Sequence, residues 1–222
     1  MSAPPPDWED VAGRYACPAI DTDDPTGWFD RFYAAGVAGE ITMPWARTDP
    51  HPLLADWIER RSAPSGRAVV VGCGLGADAE YLARCGYATT AFDAAPTAIE
   101  QCRRRYPESR VDYRVADLFE LPPGWQRAFD LVVEIVTVQA LPTNLHAAAI
   151  DAVRSLVGPG GRLLVIGWCA EPDDPPEPPP WPLSRAEVES FGREGLRAVA
   201  IETLPGADAG TRRWRAEFSR AS

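Results

Sequence analysis

The sequence predicts an α/β fold in which a doubly wound, mostly parallel sheet carries helices on both faces. Two observations indicate this class. Apolar runs of strand length alternate with stretches of helical spacing, and the turns between them are rich in glycine, proline and aspartate. The clearest unit is the buried strand at residues 68–71, which ends in a turn containing Gly72, Gly74 and Gly76 and then opens a helix. Such glycines let the backbone approach a ligand closely, and the first N–H groups of the helix are left to face it.

The chain before this strand is predicted to form two different segments. Residues 1–26 are rich in Pro and Asp, which is typical of a mobile arm. Residues 27–61 are predicted to be mostly helical, with apolar spacing at residues 52–58 that suits one helix on the sheet. A length of 222 residues with 45% hydrophobic content is enough for one core, so residues 27–222 are expected to form a single domain.

The helix after the glycine turn spans residues 78–84 and closes on Gly86, and a second strand follows at residues 87–92. Asp93 ends that strand, 21 positions after Gly72. A carboxylate at the end of the neighbouring parallel strand can accept both hydroxyls of a ribose. Asp93 could instead cap the helix that starts near Pro96, and the two roles are compatible.

Two further strands complete a βαβαβ unit, whose ligand crevice lies outside the carboxyl ends of the strands. The third is predicted at residues 111–115, just before Asp117, and the fourth is the apolar run at residues 129–134. A helix with an apolar face at residues 145–156 and a fifth strand at residues 162–166 follow.

The pattern changes after the fifth strand. Residues 171–183 are too rich in proline for a helix or a central strand, so they are predicted to be a stiff loop that leaves the active face as a lid. An inert spacer, or a docking segment for a proline-binding partner, would have the same composition. Ser184 and Glu187 then form a capping box for a helix to about Arg193, and residues 196–204 and 214–219 are the closing strand pair.

Five short motifs stand in order along residues 65–166: Gly72-Cys73-Gly74-Leu75-Gly76, Asp93, Ala116-Asp117-Leu118-Phe119, Phe129-Asp130-Leu131-Val132-Val133 and Gly158-Pro159-Gly160-Gly161. Together they resemble the motif series of class I S-adenosylmethionine (SAM) dependent methyltransferases. The segment from Trp28 to Tyr33, followed by Pro44-Trp45, looks like the thiopurine and thiol S-methyltransferase branch, in which an N-terminal segment folds over the cofactor. Many class I members carry an acid at the position of Val70, although this branch is often apolar there.

The resemblance implies a Rossmann-like sheet of seven strands with an antiparallel C-terminal strand, and SAM as the methyl donor with S-adenosylhomocysteine as product. It also implies that Asp93 holds the ribose hydroxyls, that Asp117 accepts the adenine amino group, and that Leu118 or Phe119 flanks the ring. Phe119 could be simple core and Glu134 a solvated strand end. The residues expected to bind the cofactor are Trp28, Gly72, Cys73, Gly74, Gly76, Asp78, Asp93, Ala94, Asp117, Leu118, Phe119, Glu134 and Ile135.

The acceptor side is predicted from aromatic residues. Trp45 falls on residues 27–61, which are expected to form a cover over the active site, Trp168 at the end of the fifth strand and Trp181 on the proline-rich loop, where they can form the walls around a flat acceptor. The candidates for a general base are Glu134, near the sulfonium end, and His146, which could equally be a packing or surface residue. Because neither is convincing, a thiol or another soft nucleophile on a small aromatic or heterocyclic compound is the favoured acceptor.

Other functions follow less well from the sequence. A nicotinamide-dependent dehydrogenase would need the fingerprint G-x-G-x-x-G, and in this sequence Ala77 stands at its last position. A Tyr-x-x-x-Lys pair is absent from the sequence, which has no lysine. An O- or N-methyltransferase of secondary metabolism, and a SAM-binding regulatory or assembly protein without turnover, remain the alternatives.

Charge and cysteine usage limit the partners. The net charge of −10 argues against a nucleic-acid substrate, and the runs at residues 103–105 and 212–213 are interpreted as solvated ends of elements. Scattered cysteines and two histidines indicate neither disulfides nor a metal site. A cytoplasmic monomer or homodimer with no membrane association is expected, with a small-molecule methyl acceptor as its partner.

Overall fold

The computed structural model describes residues 26–43, 45–61, 65–170, 180–206 and 210–222. The predicted mobile arm at residues 1–26, apart from Thr26, and residues 171–179 of the predicted lid lie outside the described residues. The strands are β1 (Arg67–Val71), β2 (Ala88–Asp93), β3 (Asp112–Val115), β4 (Phe129–Ile135), β5 (Val157–Trp168), β6 (Leu196–Pro205) and β7 (Arg212–Arg220). The helices are α1 (Gly27–Val37), α2 (Pro52–Glu59), α3 (Ala77–Cys85), α4 (Pro96–Arg105), α5 (Thr143–Ser155) and α6 (Arg185–Ser190), with 3₁₀ turns at Pro123–Trp125 and Val138–Ala140.

The strands form one seven-stranded sheet in the order β3-β2-β1-β4-β5-β7-β6. The first five strands in this order are parallel to one another, whereas β7 runs antiparallel to both β5 and β6. This confirms the predicted mostly parallel sheet with an antiparallel C-terminal strand. The strand order reverses between β1 and β4, because the chain builds outward from β1 first on one side and then on the other. In such sheets ligands bind in the crevice at the carboxyl ends of the strands at this switch point.

Helices cover both faces of the sheet, which explains the nearly continuous apolar strands. Val69 and Val71 of β1 pack on the face covered by α5 and α6. Ala68 and Val70 pack on the opposite face, against α2, α3 and α4. No helix in the described ranges is long and apolar enough to span a membrane.

Several local predictions are confirmed and others are revised. Ser184 and Glu187 form both bonds of the predicted capping box, but α6 ends at Ser190 rather than near Arg193. Strand β5 begins at Val157, not at residue 162. The glycines near its start allow close pairing with β4, since a Cβ on Gly161 would lie 2.7 Å from the Phe129 carbonyl oxygen. The register of β4 and β5 is irregular at this point.

Candidate active site

A cavity of about 330 Å³ lies at the carboxyl ends of β1, β2 and β4, beneath α1 and the segment that leads to α2. Most of the residues predicted to bind cofactor or acceptor line it: Trp28, Trp45, Gly72, Cys73, Gly74, Gly76, Asp78, Asp93, Ala94, Leu118, Phe119, Ile135 and Trp168. Four predicted residues are not among the described residues that line it: Asp117, Glu134, His146 and Trp181.

The glycine turn after β1 forms the floor of the cavity. Gly72 has φ 55°, in the left-handed region that favours glycine, and a Cβ there would lie 2.5 Å from two side-chain atoms of Thr137. A Cβ on Gly74 would lie 3.1 Å from the Tyr33 hydroxyl. The turn is therefore enclosed from the β4 side by Thr137 and from the cover by Tyr33.

Asp93 ends β2 beside this turn and is 7% exposed. Its Oδ2 accepts the N–H of Gly74 at 2.9 Å, and its Oδ1 accepts the N–H of Ala95 at 3.0 Å. Each carboxylate oxygen keeps a further acceptor position for a ligand hydroxyl. Burial raises the pKa of Asp93 to about 6, although the backbone bonds oppose the shift. The N-cap residue of α4 is Ala95, so Asp93 fixes the entry to that helix without being its cap residue.

Aromatic rings form the cover over the cavity. The rings of Trp28 and Phe29 stack with centroids 4.0 Å apart, and Trp45 lies against Phe32 at 5.2 Å and Tyr33 at 6.0 Å. Burial raises the pKa of the Tyr33 hydroxyl well above its usual value, so this group stays protonated. The aromatic rings of the cover therefore carry no charge.

An ion pair fixes the chain between α1 and α2. Arg47 makes two bonds to the Asp78 carboxylate, at 3.2 and 2.6 Å, and Oδ1 of Asp78 also accepts the N–H of His51 at 2.7 Å. Asp78 lies in the first turn of α3, where a negative charge is stabilised by the helix dipole. Asp78 therefore anchors the chain between α1 and α2, and its predicted role in binding the cofactor stays a prediction.

His51 lines the cavity as a neutral imidazole. Its Nδ1 accepts the N–H of Leu53 at 3.2 Å, and burial together with the nearby Arg47 charge lowers the pKa of His51 to about 4. In a neutral imidazole the nitrogen opposite the accepting one carries the proton. Nε2 of His51 is therefore a hydrogen-bond donor.

The acceptor side includes a stacked pair at the ends of β5 and β7. Trp168 and Arg213 face each other in the β5–β7 register, and the Arg213 guanidinium carbon lies 2.9 Å from the centroid of the Trp168 ring. Both line the cavity, as does Pro180. The interpretation of residues 212–213 as a solvated end is wrong for Arg213, because strand pairing turns it toward Trp168; Arg212 is exposed.

Two predicted residues hold other parts of the chain. Asp117 is half-buried and accepts the N–H of Phe119 at 2.9 Å, so it shapes the turn that brings Leu118 and Phe119 to the cavity. Trp181 is buried, and its backbone N–H donates to the Gln139 backbone carbonyl at 2.7 Å. The lid role of residues 171–183 stays a prediction.

The two candidate bases are both buried outside the cavity lining. Oε1 of Glu134 accepts the N–H groups of Thr137 at 2.7 Å and Val138 at 3.0 Å. His146 bonds to the Leu141 carbonyl at 2.9 Å and to the Glu187 carboxylate at 2.6 Å. Their catalytic role stays a prediction.

Sequence reasoning did not assign a site role to Arg47, His51, Thr137 or Arg213. Thr137 follows β4 by two residues, so the rule that selected Glu134 and Ile135 at the strand end could have found it. Arg47 and Arg213 had no local signal, because each lines the cavity through a partner far away in sequence.

Comparison with known proteins agrees with this geometry. Residues 68–161 match the family model described as a methyltransferase domain. The chain is 25% identical over 205 residues to probable thiol methyltransferase 2 of Arabidopsis thaliana, covering 87% of each protein. It is 38% identical over 118 residues to ubiquinone biosynthesis O-methyltransferase of Xylella fastidiosa (strain 9a5c), but this match spans 52% of the chain and only 47% of that enzyme.

Solved structures share the fold. One is the N-methyltransferase NodS of Bradyrhizobium japonicum WM9 in complex with S-adenosylhomocysteine, with a TM-score of 0.64 and 20% identity over 87% of this chain and 98% of that one. Another is the Burkholderia thailandensis 1,6-didemethyltoxoflavin-N1-methyltransferase with bound 1,6-didemethyltoxoflavin and S-adenosylhomocysteine, with a TM-score of 0.68 and 15% identity over 100% of this chain and 92% of that one.

Proposed function

We propose that this chain, a class I SAM-dependent methyltransferase, methylates a soft nucleophile, most simply a thiol sulfur, on a small aromatic or heterocyclic compound. The observation that carries the proposal is the state of the cavity's imidazole: the accepting nitrogen of His51 is held by the Leu53 N–H. Its other nitrogen, Nε2, carries the proton, so it cannot take a proton from an alcohol.

The residues present fit SAM. The glycine turn brings backbone to the cavity without side chains, Asp93 keeps acceptor positions for two ribose hydroxyls, and Leu118 and Phe119 offer apolar surfaces to an adenine ring. A cavity of about 330 Å³ is at the lower end of the usual range for small-molecule sites, roughly 300–1,000 Å³. When bound, SAM supplies an electrophilic methyl group on a positively charged sulfur.

The titratable side chains of the described cavity orient groups rather than remove protons. Asp78 is held by Arg47 and by the N–H of His51, and Asp93 is held by two N–H groups. A thiol with a pKa near 8.5 ionises partly in neutral water without a protein base, whereas a phenol with a pKa near 10 does so far less. This difference favours a thiolate acceptor.

The aromatic walls favour a flat acceptor. Phe29 and Trp45 line the cavity on the cover, and Trp168 lines it at the end of β5. Such surfaces exclude water and restrict the acceptor to a few orientations. Alignment of the reacting atoms can lower the barrier by as much as about 7–11 kcal/mol, so a site without a base can still be an effective catalyst.

The relatives support two acceptor classes. The probable thiol methyltransferase 2 of Arabidopsis matches over most of both chains, which favours sulfur. O-methyl transfer is the second candidate, because the ubiquinone biosynthesis enzyme is more identical over its shorter match.

A panel of matched acceptors tests the proposal. Benzenethiols, phenols and anilines with the same ring substituents are incubated with SAM and purified protein, and S-adenosylhomocysteine is measured by mass spectrometry against enzyme-free reactions. We expect turnover of the thiols above that of the phenols and anilines, and loss of turnover in Asp93→Ala. Turnover of phenols or anilines without thiols would contradict the proposal.

A further inference from the structure

The turn that follows β4 has a strained backbone. Val136 has φ 62°, a conformation that β-branched residues rarely adopt. Its N–H donates to the Ile166 carbonyl of β5 at 2.9 Å, which fixes the residue in place. Strain of this kind persists only where the surroundings hold it, and it concentrates at functional sites.

The side chain of Glu134 holds this turn in place. Its side chain is 1% exposed, and one oxygen, Oε1, accepts the N–H groups of Thr137 and Val138, the two residues that follow the strained position closely. The other oxygen, Oε2, is buried without a hydrogen-bond partner among the described residues. A half-satisfied buried carboxylate is costly for folding, so ordinary core packing does not explain this residue.

The turn after β4 contacts the glycine turn after β1. The Thr137 hydroxyl donates to the Val71 carbonyl at 2.9 Å, and the Thr137 side chain occupies the space that a Cβ on Gly72 would need. Val136 and Thr137 both line the cavity, between the glycine turn and the acceptor side. A single buried carboxylate thus fixes the wall that connects the ends of β1 and β4.

We propose that Glu134 is a positioning residue for methyl transfer: through the N–H groups of Thr137 and Val138 it holds the strained turn against Gly72, and this turn sets the distance between acceptor and methyl donor. The inference rests on the proposed use of the cavity for methyl transfer, but not on the acceptor being a thiol. It gives Glu134 a role that needs neither proton transfer nor contact with substrate.

The charge of Glu134 provides a readout that a merely structural residue would not move. Burial raises the pKa of Glu134 to about 7, against the effect of the two backbone bonds and of His146, which is the titratable neighbour that acts on it among the described residues. His146 in turn contacts Glu187. As pH falls through about 7 the carboxylate is protonated and holds the N–H groups more weakly, so turnover is expected to fall with it.

The experiment compares wild type, Glu134→Gln and Glu134→Ala, using whichever acceptor of the panel is turned over. The glutamine amide oxygen can accept both N–H bonds but carries no charge, so it imitates the protonated acid. We expect the ratio of wild-type to Glu134→Gln kcat to approach one below pH 6 and to rise several-fold above pH 8. This ratio cancels the ionisation of the acceptor. In Glu134→Ala, kcat is expected to fall by about tenfold to a hundredfold, with a smaller change in KM for SAM.

Two further variants keep the test decisive. Glu217→Gln is the matched control, because Glu217 is a buried carboxylate bonded to Trp57, Arg61 and Arg162 outside the cavity, and its ratio to wild type should not change with pH in this way. If Glu134→Ala does not fold, Val136→Gly replaces it: glycine adopts the same φ without strain and frees the turn, so kcat should fall while the protein stays folded. A pH-independent ratio for Glu134→Gln, or full kcat in Val136→Gly, would overturn the proposal. Failure of the panel with every acceptor would contradict the proposed function instead.

Discussion

The carboxyl ends of β2 and β4 each carry a buried carboxylate, and the two carboxylates differ in their surroundings. Asp93 is the last residue of β2 and Glu134 the second-last of β4; each is a buried carboxylate that accepts backbone N–H bonds, and burial raises the pKa of both, to about 6 for Asp93 and about 7 for Glu134. Asp93 uses one oxygen for each bond and lines the cavity. Glu134 uses a single oxygen for both and is not among the described cavity residues. Position at a strand end therefore does not by itself decide whether an acid lines the cavity.

The largest expected effect is on the pH dependence of folding. The pKa of Asp93 rises from 3.8 unfolded to about 6 folded, so the folded state binds more protons between these values and ionisation destabilises it. This destabilisation is absent below pH 3.8 and complete above about pH 6. Asp93→Asn should gain stability over wild type as pH rises through this window, by about 3 kcal/mol at most. Denaturant unfolding of the SAM-free proteins from pH 4 to 7 measures the difference.

If the difference in the free energy of unfolding between Asp93→Asn and wild type did not change with pH, this would contradict the assigned burial of the Asp93 carboxylate. Glu134→Gln sharpens the comparison, because this variant should gain stability over wild type at higher pH, between about 4.5 and 7. The two variants together separate the two strand ends by the pH at which each acts.

The next effect is on cofactor affinity. Under the proposed function Asp93 accepts the ribose hydroxyls, so Asp93→Ala should weaken SAM binding by about 1.5–3 kcal/mol, measured by calorimetric titration. Asp130→Ala is the matched control, since Asp130 in β4 accepts the Arg67 N–H and is not among the described cavity residues. Equal losses in both variants, or unchanged affinity in Asp93→Ala, would break the comparison.

The smallest effect concerns the contact between the two turns. Thr137→Val keeps the shape of the side chain and removes its hydrogen bond to the Val71 carbonyl. We expect a loss of about 0.5–1.5 kcal/mol in stability, and a few-fold fall in kcat with little change in SAM affinity. Thermal unfolding and steady-state kinetics check both parts. A large loss of SAM affinity would instead place the cofactor, rather than the acceptor, against Thr137.

Much of the fold and of the cofactor side could be predicted from the sequence, because their signals are local. The glycine turn and Asp93 are each defined by residues close to a strand end, and the capping box at Ser184 and Glu187 by four consecutive positions. These signals depend on backbone conformation, which neighbours in sequence largely determine.

The rest of the site depends on packing between distant segments. The pair of Arg47 and Asp78 spans 31 positions, and Arg213 reaches the cavity only through the β5–β7 register. Glu134 bonds to the turn that contains the left-handed Val136, a conformation that sequence patterns oppose. His146 on α5 likewise bonds to Glu187 of α6, 41 positions away, a contact that has no local signal.

A crystal structure of the protein with S-adenosylhomocysteine would test the comparison most directly. We expect the Asp93 carboxylate within hydrogen-bond distance of the ribose hydroxyls, with Glu134 still bonded to the N–H groups of Thr137 and Val138. A ligand bound away from Asp93, or a Glu134 carboxylate in contact with that ligand, would contradict the division of roles between the two strand ends.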